Sequence, residues 1–151
     1  MQELAESFFE MGVFNVTLTG GEIFLREDIL EIVEAFRSKG LKVSLYSNGS
    51  ILDREKCERL SQLGISIFST TIFSLDEEIN DYITQRKNSL RTILKNILLL
   101  DEYNIPIEIK MPIMKQNYKS YFELKQFCYE KNIDFFRVLI LLRKQMVIFP
   151  R

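Results

Sequence analysis

Apolar and polar positions along the chain switch repeatedly from a helical to a strand period, and the switch points share one signature. Helical patterns close at Met11-Gly12, Lys39-Gly40, Leu63-Gly64, Tyr103-Asn104 and Lys131-Asn132. Glycine and asparagine are the residues that accept the left-handed backbone ending a helix. A short β-like run follows each stop, over residues 13–19, 41–47, 65–73, 105–113 and 133–139. The helical stretches are amphipathic. Ile29, Leu30, Val33 and Phe36 share one face, as do Leu90, Ile93, Leu94, Ile97 and Leu98, and Tyr121, Leu124, Phe127 and Cys128. Ser74-Leu75-Asp76-Glu77 and Ser120-Tyr121-Phe122-Glu123 read as capping boxes that start helices.

Alternating helices and strands of this size predict an α/β fold with a parallel sheet. Right-handed crossovers added in order place every helix on one side. The expected architecture is a partial (β/α) TIM-type barrel, with a doubly wound open sheet as the alternative. Both gather ligands at the C-terminal strand ends. Those ends carry Thr19-Gly20-Gly21-Glu22, Ser47-Asn48-Gly49, Thr70-Thr71 with Ser74, Lys115-Gln116-Asn117, and the region past Arg137.

The first of these carries the most chemistry. Val16-Thr17-Leu18-Thr19 reads as a strand that breaks at Gly20-Gly21 and presents Glu22. Two glycines either permit unusual backbone angles or let a ligand approach bare main chain. Carbonyls beside a carboxylate suit an ammonium group, and no basic residue for a phosphate appears before Arg26. The plain alternative is a tight turn followed by a solvated carboxylate. Ser47-Asn48-Gly49 also fits an ordinary turn, Ser74 a helix cap, and Asn117 a residue approaching a helix.

Composition narrows the classes. The 151 residues fit one domain with a sizeable core; 46% are hydrophobic and 27% charged, and the net charge of -1 gives no field for nucleic acid. Histidine is absent, which removes the commonest general base. No apolar run is long enough for a membrane span and the first residues are acidic, so a cytoplasmic location is expected. Cys57 and Cys128 have no ligand spacing and sit on apolar helix faces, so both read as structural and no metal ligand is assigned.

The ordered set of motifs resembles the radical S-adenosylmethionine superfamily, and its peptide-modifying subgroup in particular. Leu18-Thr19-Gly20-Gly21-Glu22 resembles the family's motif for the cofactor's amino group. Tyr46-Ser47-Asn48-Gly49 resembles the Asn-Gly that ends the next strand. Thr71-Ile72-Phe73-Ser74 with Glu78 to Thr84, and Met114-Lys115-Gln116-Asn117, resemble two later elements. The match covers residues 1–138, and residues 139–151 read as a tail or an incomplete last strand. Two features depart from the family: the CxxxCxxC loop is missing, as though the first strand were absent, and Ile23 stands where proline is usual.

The resemblance implies S-adenosylmethionine and a four-iron four-sulfur cluster held by three thiolates. It implies a 5′-deoxyadenosyl radical that takes a hydrogen atom from a peptide substrate, with an electron donor of flavodoxin or ferredoxin type. Gly20, Gly21 and Glu22 would hold the amino group, and Thr71 and Arg86 would approach the carboxylate. Ser47, Asn48 and Asn117 would line the ribose and adenine side. The cluster's ligands are absent from this chain, and no residue is assigned a catalytic role. The competing readings are a barrel lyase or isomerase, with Lys110 as the attractive strand lysine, and a non-catalytic nucleoside- or partner-binding remnant.

Overall fold

Five helices end in the same way, and that repetition sets the architecture. The structure is a computed structural model and describes residues 1–139. Gly12, Gly40, Gly64, Asn104 and Asn132 all have positive φ, between 53° and 80°. The amide one residue on then donates back across the helix end: Val13 to Phe8, Leu41 to Phe36, Ile65 to Leu60, Ile105 to Leu100 and Ile133 to Cys128. This is the six-to-one bond of the Schellman motif. The apolar residue that opens each expected strand therefore belongs to the helix stop. The strands are consequently shorter than the β-like runs.

The elements are α1 (Gln2–Glu10), β1 (Asn15–Leu18), α2 (Ile29–Ser38), β2 (Lys42–Tyr46), α3 (Arg54–Leu63) and β3 (Ile67–Thr71). There follow α4 (Glu77–Thr84), α5 (Ser89–Glu102), β4 (Ile107–Ile113), α6 (Tyr121–Glu130) and β5 (Asp134–Leu139). Leu139 thus closes β5, and the rest of the expected tail lies outside the described residues. The strands form one parallel sheet in chain order, β1-β2-β3-β4-β5. A doubly wound sheet reverses its strand order and this one does not. The sheet is open, since β1 and β5 lie at opposite edges. The α/β partial-barrel expectation describes it.

Alternation along the strands gives the sheet two different faces. Leu18, Leu45, Phe68 and Ile107 stand in one register row, with Ile109 and Phe135 paired above them. This face packs beneath the helices, where Val33, Phe36, Leu60, Leu100 and Leu124 are buried. The other face carries Tyr46, Ser69, Glu108 and Asp134 in register, followed by Thr71, Lys110 and Phe136. A single face of the sheet is built from apolar side chains, so the polar face is free to form a site.

Both expected capping boxes are corrected. Asp76, not Ser74, caps α4 by accepting from the Ile79 amide. Ser120 holds the N-cap position just before α6, but its hydroxyl does not cap the helix. The two serine hydroxyls instead bond each other at 2.8 Å, fully or nearly buried, and Ser74 also accepts from the Asp76 amide. The pair ties the end of β3 to the start of α6.

Thr70 Oγ1 is the one buried side-chain polar atom without a partner among the described residues. It lies beneath Gly49, where an added Cβ would come within 3.7 Å of it. An unpaired buried hydroxyl costs about 1–3 kcal/mol. Valine has the same shape without the hydroxyl. Thr70→Val is therefore expected to raise the urea midpoint, with a gain of about 1 kcal/mol; an unchanged or lower midpoint would contradict this.

Candidate functional site

The ends of β1 and β2 are joined by one carboxylate. Glu22 Oε1 accepts from the Phe24 amide at 3.1 Å and from Ser47 Oγ at 2.7 Å. Its Oε2 accepts from the Asn48 amide at 2.9 Å. Ser47 Oγ in turn accepts from the Gly49 amide, and Asn48 Oδ1 accepts from the Ser50 amide. Glu22 is thus a brace as well as a candidate ligand. An ionised carboxylate offers about four lone-pair sites, and three donors occupy it here, so it can still accept from an ammonium.

Gly20 and Gly21 do not have positive φ, and a Cβ on either would meet nothing within 4 Å. Neither unusual backbone angles nor packing within the protein requires glycine there. Bare main chain facing open space remains as their use. They line a cavity of about 290 Å³ together with Thr19, Tyr46, Ser47, Asn48, Ser69, Thr71 and Lys110. Asn48 and Thr71 also line an adjoining cavity of about 520 Å³, whose walls include Phe73, Arg86, Ile93 and Pro112. The first cavity is the more polar of the two, and the second is mainly apolar with one guanidinium.

The link that carries Arg86 is shaped by hydrogen bonds around the buried Asn80 and Ser89. Asn80 accepts from the Phe73 amide and donates to Ser89 Oγ, and Thr84 Oγ1 also bonds Ser89 Oγ. Asp81 accepts from the Asn88 amide, the Ser89 amide and Ser89 Oγ. These bonds fold residues 85–88 into a tight link between α4 and α5, with Gln85 and Asn88 both left-handed. Asn96 of α5 donates to the Gly49 carbonyl and fastens the β2 loop from the helix side.

Of the expected residues, Gly20, Gly21, Ser47, Asn48, Thr71 and Arg86 line these two cavities, and Glu22 lies directly behind the first. Asn117 is separate. It is fully buried, accepts from the Met114 amide and donates to the Pro112 carbonyl. Its amide shapes the end of β4.

Lys110 points away from Ile109 and Met111, which are buried in the core. Its Nζ stands 3.1 Å from the centre of the Tyr46 ring and 3.4 Å from Glu108 Oε1. Ser69 Oγ donates to the same Oε1 at 2.6 Å.

Cys57 and Cys128 are buried on different helices, α3 and α6. Burial pushes each thiol up to about 11. A cluster needs thiolates, and these two stay protonated. No group of three potential ligands capable of holding a metal occurs among the described residues. An iron–sulfur cluster does not fit the side chains present; Gly20 and Gly21 present bare main chain to the cavity, with the Glu22 carboxylate behind it.

Comparison with known proteins identifies the lineage. A model of the radical SAM superfamily matches residues 1–128. The chain belongs to the radical S-adenosylmethionine superfamily. Members of this superfamily use S-adenosylmethionine and a four-iron four-sulfur cluster. The chain is 29% identical to the antilisterial bacteriocin subtilosin biosynthesis protein AlbA of Bacillus subtilis, over 77% of its own length and 26% of AlbA. It is 30% identical to the GTP 3′,8-cyclase of Aquifex aeolicus, over 76% of itself and 36% of the cyclase. The fold matches Streptococcus suis SuiB bound to S-adenosylmethionine with a TM-score of 0.81 and 21% identity, covering 95% of this chain and 34% of SuiB. SuiB bound to the precursor peptide SuiA matches with a TM-score of 0.79 and 22% identity, covering 90% and 31%. The chain spans roughly a third of the length of these radical SAM relatives. Membership in the superfamily sets aside an unrelated barrel lyase or isomerase.

Ser89, Asn96, Ser69 and Glu108 are residues that sequence reasoning missed, and Asn80 entered it only inside the Glu78 to Thr84 stretch, with no role of its own. Asn80 and Asn96 had a visible signal, since each interrupts the apolar face of its helix, beside Ile79 and Ile83 or Ile93 and Ile97. Ser69 and Glu108 had none, because a short strand does not declare which face holds the cavity.

The link that carries Arg86 has an acid dependence. Burial opposes ionisation of Asp81, but the bonds from Ser89 and Asn88 outweigh it and hold the carboxyl below its usual range. A lowered carboxyl contributes stability above the unfolded value of about 3.9 and loses it as pH falls through the folded value. The melting point of the wild type should exceed that of Asp81→Asn near neutrality, and the gap should close as pH falls below about 4. A gap that is constant with pH would contradict this.

Proposed function

We propose that this chain supplies the S-adenosylmethionine-binding part of a radical enzyme that modifies a peptide. The observation that carries the reading is the Glu22 carboxylate, fixed by Ser47 and Asn48 beside the bare backbone of Gly20 and Gly21. The Gly20 and Gly21 carbonyls and Glu22 take the ammonium of the methionine moiety. Thr71 and Arg86 take its carboxylate, with Arg86 presented by the Asn80, Asp81 and Ser89 network. Asn48, with Phe73 and Pro112 nearby, lines the adenosine side. Asn117 contributes by holding the end of β4 in shape.

When bound, S-adenosylmethionine supplies a carbon radical that abstracts a hydrogen atom from substrate. The protein's share is to hold and orient the cofactor. Cys57 and Cys128 are not placed to hold the cluster, and an electron donor of flavodoxin or ferredoxin type serves the assembled enzyme. A peptide substrate is supported by the likeness to AlbA and by the SuiB fold that binds SuiA. No helix among the described residues is long and apolar enough to cross a membrane, and two free cysteines suit the reducing cytoplasm.

Titration calorimetry with S-adenosylmethionine tests this. A hydrogen bond to a charged group is worth about 1.5–3 kcal/mol, so Glu22→Gln is expected to weaken binding roughly ten- to a hundredfold. Ser47→Ala, which leaves the charge in place, should weaken it less. Equal affinities for wild type and Glu22→Gln would show that Glu22 is only a loop brace.

A further inference from the structure

The open face of the sheet holds a cation that the proposed cofactor contacts do not use. Lys110 and Glu108 side chains are only 18% and 19% exposed. Lys110 is the sole charged residue lining the Gly20–Gly21 cavity as described. Its nearest carboxylate oxygen is 3.4 Å away, beyond the usual 2.7–3.2 Å range of an N–H···O bond. That oxygen already receives the Ser69 hydroxyl at 2.6 Å. The other near neighbour of the ammonium is the Tyr46 ring face, which attracts a cation but accepts no conventional hydrogen bond. An ammonium has three donors; Glu108 offsets its charge as an ion pair but accepts no hydrogen bond from it. At least one donor of Lys110 has no acceptor among the described residues.

We propose that Lys110 is a receptor for a carboxylate of the substrate, so that the enzyme acts on an acidic peptide. This rests on the cofactor reading above and deepens it. Arg86 stands on the far side of Asn48 and Thr71, in the adjoining cavity, and serves the methionine carboxylate there. Lys110 therefore answers to a second anion. Tyr46 and Phe136 flank it on neighbouring positions of the open face, and both rings are exposed, by 37% and 53%. They extend the surface past the cavity, as a peptide would need. Two carboxylates oppose an anion here: Glu108, which competes for Lys110, and Asp134, paired with Glu108 on the same face. The same carboxylate chemistry could come from the methionine moiety, and the test separates the two sources.

The chain is labelled with ¹³C at the lysine ε carbons and titrated with acetate at constant ionic strength, first alone and then with saturating S-adenosylmethionine. The Lys110 resonance is identified by its loss in Lys110→Gln. A saturable shift at Lys110 in both titrations is expected, with none at the exposed Lys115. Glu108→Gln should bind acetate several-fold more tightly, because the competing charge is gone. A shift abolished by S-adenosylmethionine, with a tenfold loss of cofactor affinity in Lys110→Gln, would assign the carboxylate to methionine and overturn the substrate assignment. No saturable shift, or an unchanged affinity in Glu108→Gln, would overturn the receptor itself. Failure of S-adenosylmethionine to bind the wild type would defeat the cofactor reading while leaving the acetate titration readable.

Discussion

One carboxylate joins two strand ends, and the site depends on it. Parallel strands end side by side, but nothing in the ladder fixes the loops beyond them. Glu22 does so by accepting from Phe24, Ser47 and Asn48 at once. The Gly20–Gly21 backbone is thereby held against the Ser47–Asn48 turn, and the cavity between them acquires a defined wall. A charged acceptor serves this purpose better than an amide, because all its capacity is for donors. The same residue places a carboxylate behind that wall, against Ser47 and Asn48.

The wall beyond Thr71 is built in the same manner, from buried polar groups that tie loops to helices. Asn96 fastens Gly49, Asn80 fastens Phe73, and the Ser74–Ser120 pair spans from β3 to α6. Among the described residues each buried side-chain amide or hydroxyl but one has a partner, as low polarity demands. Thr70 is the exception and lies directly under the β2 turn. The polar lining of the site and its mechanical support are therefore largely the same set of bonds.

The architecture was legible because it rests on local rules. A left-handed residue and an apolar successor mark the five helix stops that lead into strands, and five such stops imply five parallel strands in order. The Gly20, Asn48 and Thr71 positions were legible for a related reason: strand ends in such a sheet share one rim; Arg86, on the link between α4 and α5, came only from the family resemblance. Strand limits were not, because Val13, Leu41, Ile65, Ile105 and Ile133 look like strand residues and serve the helix ends. The serine capping boxes misled because the hydroxyls of Ser74 and Ser120 find a tertiary partner in each other. Lys110 was noticed as a strand lysine, but its direction follows only from the packing of Ile109 and Met111.

Amide hydrogen exchange with and without S-adenosylmethionine tests the central claim most directly. The amides of Phe24 and Asn48 both donate to Glu22 and report on its carboxylate from opposite strand ends. If the methionine ammonium joins that carboxylate, exchange at both slows when the cofactor is added, while the amides of α6 are unaffected. Unchanged exchange at Phe24 and Asn48 under saturating cofactor, or protection confined to α6, would contradict the account.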